Sequence, residues 1–287
     1  MVSEDKKAKN SGILRLKESG TVSLRVKTVA GKLSSSQLKV LSEIVDQYGD
    51  GYICSTARLN IEIPGIDKSL ADSVREELSV ADLDVGSSKS EVRSIVACKG
   101  TVCRHGCCDT WAIAEKLEEE QGGRKLPRKL KIAIAGCPNN CSKVQFNDIG
   151  FMGHLYPFFD EDACTLCGAC EKACKENALK IEDEKLNFNP ELCVGCGDCI
   201  KKCSSDAVKI SESGLTLYLG GRAGREIYIG EEAEGLIPED KIPEITDCII
   251  TYFENNADIG ERFGSMMARI GKGKVFNDLG LHSGETG

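Results

Sequence analysis

Aromatic residues, histidines and long apolar runs are all scarce in this sequence. Phe, Trp and Tyr make up 5% of its 287 residues, which argues against a surface that stacks nucleic-acid bases. The three histidines, His105, His154 and His282, are too scattered to form a ligand cluster. The longest apolar run, residues 248–253, is far too short to cross a bilayer.

The first residues, MVSEDKKAKN, lack the apolar segment of a secretory signal. We therefore expect a cytoplasmic protein in which residues 1–11 form a polar tail. The net charge of −8 argues against nucleic acid or an anionic membrane as a partner. We expect neither nucleic-acid binding nor membrane insertion.

Cysteine, by contrast, is abundant, with sixteen residues. In a reducing cytoplasm, closely spaced cysteines are more often metal ligands than disulfides. Metal–thiolate clusters would also suit an oxygen-poor, anaerobic setting.

Residues 159–204 contain one cysteine pattern twice. Each copy reads C-x2-C-x2-C-x3-C, which resembles a bacterial two-cluster ferredoxin and predicts two [4Fe-4S] clusters. In such ferredoxins the fourth cysteine of each copy ligates the cluster of the other copy. The predicted ligand sets are Cys164, Cys167, Cys170 and Cys203 for one cluster, and Cys174, Cys193, Cys196 and Cys199 for the other.

A second cysteine-rich stretch runs from Cys98 to Cys141. Cys98 and Cys103 form one close pair, and Cys137 and Cys141 form another. Four thiolates are soft ligands that suit an iron–sulfur cluster or zinc. Gaps of four and three residues differ from the two-residue gaps usual in zinc motifs, which favours an iron–sulfur cluster over a zinc site or a disulfide pair.

These motifs resemble the siroheme and [4Fe-4S] core of sulfite and nitrite reductases. The resemblance rests on CKGTVC and GCCDT upstream, and on a basic strand followed by GCPNNC downstream. It covers residues 20–275, and the small, single-half form with an inserted ferredoxin is similar to the anaerobic sulfite reductase type.

The identity of the second core ligand is open. The family commonly separates its first two cysteines by five residues, whereas four separate Cys98 from Cys103. Cys107 and Cys108 follow closely and are the alternatives. We favour Cys103 because the residues after it keep the family's spacing to the GCCDT segment.

The resemblance implies a siroheme whose iron shares the Cys141 thiolate with a [4Fe-4S] cluster held by Cys98, Cys103 and Cys137. It also implies cations that face the siroheme carboxylates or the anionic substrate. One of these residues is Arg58, which lies beside Thr56 in a strand predicted over residues 52–63. The others are Lys129 and Lys131, which share one face of a second predicted strand with Ala133, Ala135 and Cys137. The other cofactor-binding residues implied are Asn139, Asn140, Gly221, Arg222 and Arg225. Without the resemblance, solvated strand charges and a tight glycine turn would be the default interpretation.

The succession of strand and helix patterns predicts an α+β fold. Strands are predicted over residues 22–33, 52–63, 207–211 and 215–219, and helices follow Ser34 and Asp67. The resemblance divides the chain into three domains. Residues 12–80 form a ferredoxin-like half-domain, and residues 88–158 and 205–287 form a mixed-sheet siroheme and [4Fe-4S] domain. Residues 159–204 form an inserted two-cluster ferredoxin.

The activity implied by the resemblance is the siroheme-dependent, six-electron reduction of sulfite to sulfide. Electrons would arrive through the ferredoxin-type clusters from a soluble donor of low potential, such as a ferredoxin or a partner reductase subunit. The alternatives are a nitrite reductase on the same scaffold and a non-enzymatic iron–sulfur electron-transfer protein. Larger reductases carry two halves of this unit, so we expect a homodimer, a higher oligomer or pairing with a related subunit.

Overall fold

The structure, a computed structural model, describes residues 12–18, 20–88 and 90–282. The predicted polar tail, residues 1–11, lies outside the described residues. The strands are β1 (Ile13–Arg15), β2 (Thr21–Val26), β3 (Cys54–Ser55), β4 (Ile61–Asp67), β5 (Val96–Ala97), β6 (Ile132–Ala135), β7 (Ile149–Phe159), β8 (Leu179–Glu182), β9 (Lys185–Phe188), β10 (Val208–Leu219) and β11 (Glu231–Glu232).

The α-helices of the described residues are α1 (Ser35–Tyr48), α2 (Ala71–Val80), α3 (Thr110–Gln121), α4 (Ala169–Ala173), α5 (Asp198–Lys202), α6 (Ile242–Asn256), α7 (Phe263–Ile270) and α8 (Lys272–Asp278). Short 3-10 turns lie at Gly100–Val102, Val144–Phe146, Pro190–Leu192 and Glu239–Lys241. None of the described helices is long and apolar enough to cross a membrane. This mixture of helices and β-sheets confirms the predicted α+β class.

The chain divides into two compact units. The first comprises the described parts of residues 1–96, 114–132 and 247–270, and the second those of 97–113, 133–246 and 271–287.

The first unit contains an antiparallel sheet of strand order β1-β2-β4-β3, covered by α1 and α2. Ser34 begins α1 as predicted, because its hydroxyl accepts the Gln37 N–H while the Gln37 side chain accepts the Ser34 N–H. The apolar faces of both helices and of the sheet meet in one core that includes the fully buried Leu24, Ile63 and Leu78. Burial of such side chains contributes about 1.5–3 kcal/mol each.

The second unit contains a sheet of strand order β11-β10-β7-β6-β5. Its long central pair, β7 and β10, is antiparallel from Ile149–Leu219 at one end to Phe159–Val208 at the other, with a bulge near Ser211. Residues 160–207 connect these two strands and carry the paired hairpin β8–β9 with the short helices α4 and α5. The duplicated cysteine pattern thus lies in a connection between neighbouring strands.

Several predicted elements are wrong in extent. The predicted strand over residues 52–63 is two strands, β3 and β4, separated by a turn, and the strand predicted over residues 22–33 ends at Val26. The helix predicted to begin at Asp67 begins at Ala71, because the Asp67 carboxylate accepts the N–H and hydroxyl of Ser69 in a preceding turn. The two strands predicted within residues 207–219 are the single strand β10.

Candidate functional site

The candidate core site of the second unit lies where β5 and β6 end. Cys98 follows β5, and its N–H donates to the Ile134 carbonyl of β6 at 3.1 Å. Gly136 and Cys137 follow β6, and the Asn140 N–H donates to the Cys137 carbonyl in a turn that leads to Cys141. Adjacent strands therefore deliver the two cysteine pairs to one sheet end.

Thiols of both pairs are close to one another. The Gly136 N–H donates to Cys98 Sγ at 3.1 Å, and Asn139 Nδ2 donates to Cys137 Sγ at 3.5 Å. Burial raises the pKa of Cys98, and the neighbouring Cys141 and Cys137 raise it further. N–H donors aimed at sulfur are the contacts that tune thiolates bound to iron–sulfur clusters.

The polar residues of the upstream motif hold the cysteine loop in place. The Thr110 hydroxyl donates to the Cys98 carbonyl at 2.7 Å. Asp109 begins α3 by accepting the Ala112 N–H at 3.0 Å, and it also accepts the Thr101 hydroxyl at 2.6 Å. These residues thus tie the start of α3 to the loop that carries Cys98.

Cys107 and Cys108, the alternative core ligands, have their own packing partners. Cys107 Sγ lies 3.4 Å from the Cys196 carbonyl oxygen and 3.5 Å from that of His105, and burial raises the Cys107 pKa to about 12. Cys108 Sγ packs against Gly153 of β7, and burial raises its pKa as well. Cys107 also interacts electrostatically with Cys137, and Cys108 with Cys98, so the preference for Cys103 rests on the family's spacing alone.

The duplicated cysteine pattern forms two cavities, each lined by four cysteines. One contains Cys164, Cys167, Cys170 and Cys203, and the other Cys174, Cys193, Cys196 and Cys199. These are the two sets that the crossover rule predicts from spacing. Cysteine-only donor sets fit [4Fe-4S] clusters, whose four irons each take one thiolate.

Burial raises the pKa of several of these thiols. It raises the pKa of Cys199 to about 12 and also raises those of Cys170 and Cys196. Because iron binds thiolates, cluster assembly must release these protons. In the part of the chain that the structure describes, no three His, Cys, Asp or Glu side chains are spaced to hold a single metal ion.

Arg58 lies in a turn of the first unit, not on a strand. The Thr56 hydroxyl accepts the N–H groups of Arg58 and Asn60 at 3.3 and 3.0 Å, and Leu59 has a φ of 63°. The half-buried guanidinium donates to the Ser94 carbonyl at 2.7 Å and to the Ile132 carbonyl at 2.9 Å. These bonds hold Arg58 beside the chain segment that contains Lys131.

Lys129 and Lys131 are half-buried residues that precede β6. The strand itself is buried on both faces, since Ala133 and Ala135 have no exposed surface. No surface of Ala133 or Ala135 is therefore accessible, and the two lysines remain candidates for anion binding.

The remaining predicted cofactor residues divide into structural and exposed groups. Asn140, at a φ of 49°, shapes its turn because its side chain accepts the Val144 N–H and donates to Gln145. Gly221 is needed for close backbone packing, since a Cβ there would lie 2.0 Å from the Gln145 carbonyl oxygen. Asn139 is exposed.

The two arginines after Gly221 differ in their contacts. Arg222 Nη1 lies 3.2 Å from Glu226 Oε2, and its guanidinium lies over the Tyr228 ring, 5.9 Å from the centroid. Arg225 is exposed. The sequence pattern did not predict the Arg222–Glu226 pair, although the four-residue separation was a possible signal.

The chain belongs to the nitrite and sulfite reductase family. Residues 88–286 match the family described as "Nitrite and sulphite reductase 4Fe-4S domain", and residues 15–81 match "Nitrite/Sulfite reductase ferredoxin-like half domain". The family resemblance inferred from the cysteine motifs is confirmed.

Individual relatives agree with this assignment. Over 264 residues the chain is 37% identical to the coenzyme F420-dependent sulfite reductase of Methanocaldococcus jannaschii, covering 91% of this chain and 42% of that protein. It is 33% identical over 175 residues to one of the subunits of the anaerobic sulfite reductase of Salmonella typhimurium, covering 56% of this chain and 51% of the relative. The chain thus spans about half the length of these relatives or less.

Solved structures share the fold. Dissimilatory sulfite reductase I superposes with a TM-score of 0.74 at 20% identity, over 91% of this chain and 69% of that one. The NirA protein of Mycobacterium tuberculosis superposes with a TM-score of 0.62 at 18% identity, over 90% of this chain and 39% of that one.

Proposed function

We propose that this chain is the catalytic unit of a siroheme-dependent sulfite reductase. The observation that carries the proposal is the meeting of Cys98, Cys137 and Cys141 at one sheet end, within a region that matches the reductase 4Fe-4S domain. Cys103 completes the proposed ligand set of the core cluster.

Cys141 is the proposed ligand shared with siroheme. It is exposed, whereas Cys137 is buried, so the Cys141 thiolate has space on its outer side for a second iron. When bound, siroheme supplies the iron that holds the sulfur of sulfite and conducts electrons to it.

The cationic residues have the proposed task of binding the anion and supplying protons. Arg58 is held by the carbonyls of Ser94 and Ile132, and these bonds fix the position of its charge. Reduction of one sulfite to hydrosulfide consumes six electrons and seven protons and yields three waters. Lys129 and Lys131 are the proposed groups that neutralise sulfite and pass protons to its departing oxygens.

Electrons are proposed to come from a soluble donor of low potential through the two ferredoxin-type clusters. We further propose that the chain acts as an oligomer, since it matches one copy of each family domain, whereas the larger reductases that it resembles carry two. Sizing of the active protein tests this, and full activity in a monomer would contradict it.

The test of the proposed function is an anaerobic absorption spectrum with iron and sulfide analysis. We expect siroheme bands, with iron for three cubane clusters and one haem. The Cys141→Ser variant should lose the siroheme bands, whereas Cys248→Ser, which removes another exposed cysteine, should keep them. Three clusters without siroheme would instead favour an electron-transfer protein.

Nitrite is the second candidate substrate. The chain is 25% identical over 245 residues to the ferredoxin–nitrite reductase of Spinacia oleracea, covering 84% of this chain and 33% of the relative. The ratio of kcat/KM for sulfite and nitrite discriminates the two anions. We expect sulfite to be preferred, and a higher value for nitrite would reassign the substrate.

A further inference from the structure

The two cysteine loops of residues 159–204 differ in what packs on them. In the first loop Thr165, Leu166 and Cys167 are exposed. In the second loop Gly195, which occupies the position of Leu166, and the nearby Gly197 are buried. The two candidate clusters therefore have unequal surroundings.

Strand β7 covers one side of the second loop. The Leu155 N–H donates to the Gly195 carbonyl at 2.8 Å, and His154 Nδ1 lies 2.9 Å from the Val194 carbonyl oxygen. The Tyr156 ring lies parallel to that of His154, with centroids 5.9 Å apart. The loop is thus held against the central strand of the second unit.

Residues 105–107, which lie shortly after Cys103, also contact the second loop and the helix α5 that begins within it. Lys201 Nζ donates to the Gly106 carbonyl at 3.1 Å, and His105 Nδ1 lies 3.2 Å from Asp198 Oδ1. The segment that follows the core cysteine loop is therefore bound to the loop of Cys196 and Cys199 at two separate polar contacts.

Cys107 connects the two sites by a continuous path of bonds. Its Sγ approaches the Cys196 carbonyl oxygen at 3.4 Å, and its N–H donates to the Gly136 carbonyl at 2.7 Å. Gly136 is bonded covalently to Cys137. A path of covalent and hydrogen bonds thus joins a ligand of one candidate cluster to a ligand of the other, and electron tunnelling is faster along bonds than across gaps.

We propose that the cluster held by Cys174, Cys193, Cys196 and Cys199 is the inner one, and that Cys107 is the bridge through which it reduces the core cluster. The other ferredoxin-type cluster, behind the exposed loop of Cys167, is the outer one, which accepts electrons from the donor. Each step moves one electron, oxidising one cluster and reducing the next, with no bond made or broken. This order rests on the proposed function, since it requires the three clusters.

The bridge is tested with Cys107→Ala and the control Cys248→Ala. Cys248 is an exposed cysteine that belongs to none of the proposed ligand sets. Purified holoprotein is mixed with a reduced two-cluster ferredoxin, and core-cluster reduction is followed by rapid-freeze EPR. We expect Cys107→Ala to slow this step several-fold, with unchanged iron content and midpoint potentials, and Cys248→Ala to leave it unchanged.

Two results would overturn the bridge: equal rates in both variants, or loss of one cluster's iron in Cys107→Ala, which would make Cys107 a ligand. Iron content and the siroheme spectrum of the same samples report the proposed function separately. A missing core cluster refutes that function, whereas three intact clusters with an unaffected rate refute only the bridge.

The order of the clusters is tested by microwave-power saturation of the core-cluster EPR signal. A paramagnetic cluster nearby speeds the spin relaxation of the core cluster, so loss of the inner cluster should slow that relaxation. Cys167→Ala removes an exposed ligand of the outer cluster and should leave that relaxation unchanged, whereas Cys196→Ala should slow it. Slower relaxation in Cys167→Ala would reverse the order. If Cys196→Ala does not fold, the Cys167→Ala result alone decides.

Discussion

The two cysteine loops share one sequence pattern and one backbone shape but not one environment. Leu166 and Gly195 occupy equivalent positions and both adopt left-handed backbone, with φ values of 53° and 65°. Leu166 is 38% exposed, whereas a Cβ at Gly195 would lie 2.8 Å from the Tyr156 ring. The cysteine pattern specifies the fold of each loop, and the residues between the cysteines specify what each loop packs against.

The largest effect is expected from Gly195→Leu, which copies the first loop into the second. The new side chain would collide with Tyr156 and His154, and leucine at positive φ adds strain. We expect the free energy of unfolding to fall by about 2–4 kcal/mol, as measured by denaturation. We also expect the protein to lose the iron of one cluster, as measured by iron analysis. The matched exchange, Leu166→Gly, should keep all iron, and equal losses in both variants would remove the distinction between the loops.

The exposure difference predicts an order of cluster loss. When the holoprotein is treated with a chelator and a thiol-alkylating reagent, we expect Cys167 to be labelled several-fold faster than Cys196, because Cys167 is exposed and Cys196 is partly buried beside β7. Mass spectrometry of the peptides measures both rates. Labelling of Cys196 first would contradict the inner and outer assignment.

A smaller effect is expected from Asp198→Ala, which gives the second loop the alanine that the first has at residue 169. The variant loses the contact with His105, a pair whose side chains are about one-fifth exposed. We expect the free energy of unfolding to fall by up to about 1 kcal/mol. The reciprocal variant Ala169→Asp should change the free energy of unfolding by less than about 0.5 kcal/mol. A larger loss in that variant would contradict the expected difference between the two positions.

The smallest effect is expected from Lys201→Ala, since Lys201 is exposed and contributes one hydrogen bond to Gly106. Hydrogen exchange should become faster in peptides covering residues 99–113, because that segment loses one anchor. Lys172→Ala, the equivalent change in the first loop, is the control. Faster exchange in both variants would indicate a general loss of stability.

Sequence reasoning succeeded where the chemistry is local. The spacing of cysteines predicted the two groups of four that line the cavities: three members of each group come from one short loop, and the fourth comes from the other copy of the pattern. The start of α1 was also predictable, since Ser34 and Gln37 form a capping box within four residues.

It failed where distant packing decides the structure. Strand β7 was missed because it is buried on both faces along most of its length and contains Gly150, Gly153 and Pro157, so it shows neither alternation nor uninterrupted strand-forming residues. The strand predicted through Arg58 overlooked the turn in which Thr56 accepts two N–H groups. The contacts of residues 105–107 with the second loop join segments about ninety residues apart, which no local pattern reveals.

The pairing of Phe159 with Val208 has a consequence for the redesign of the molecule. Antiparallel partners are about 4.5–5.5 Å apart, a gap that a two-residue turn also closes. A short turn could therefore replace the segment between them without changing the strand order of the sheet. Its second half nevertheless rests on residues 154–156 of the strand that precedes it. A graft of this segment onto another protein must therefore include residues 154–156 of β7, because the second loop packs against them.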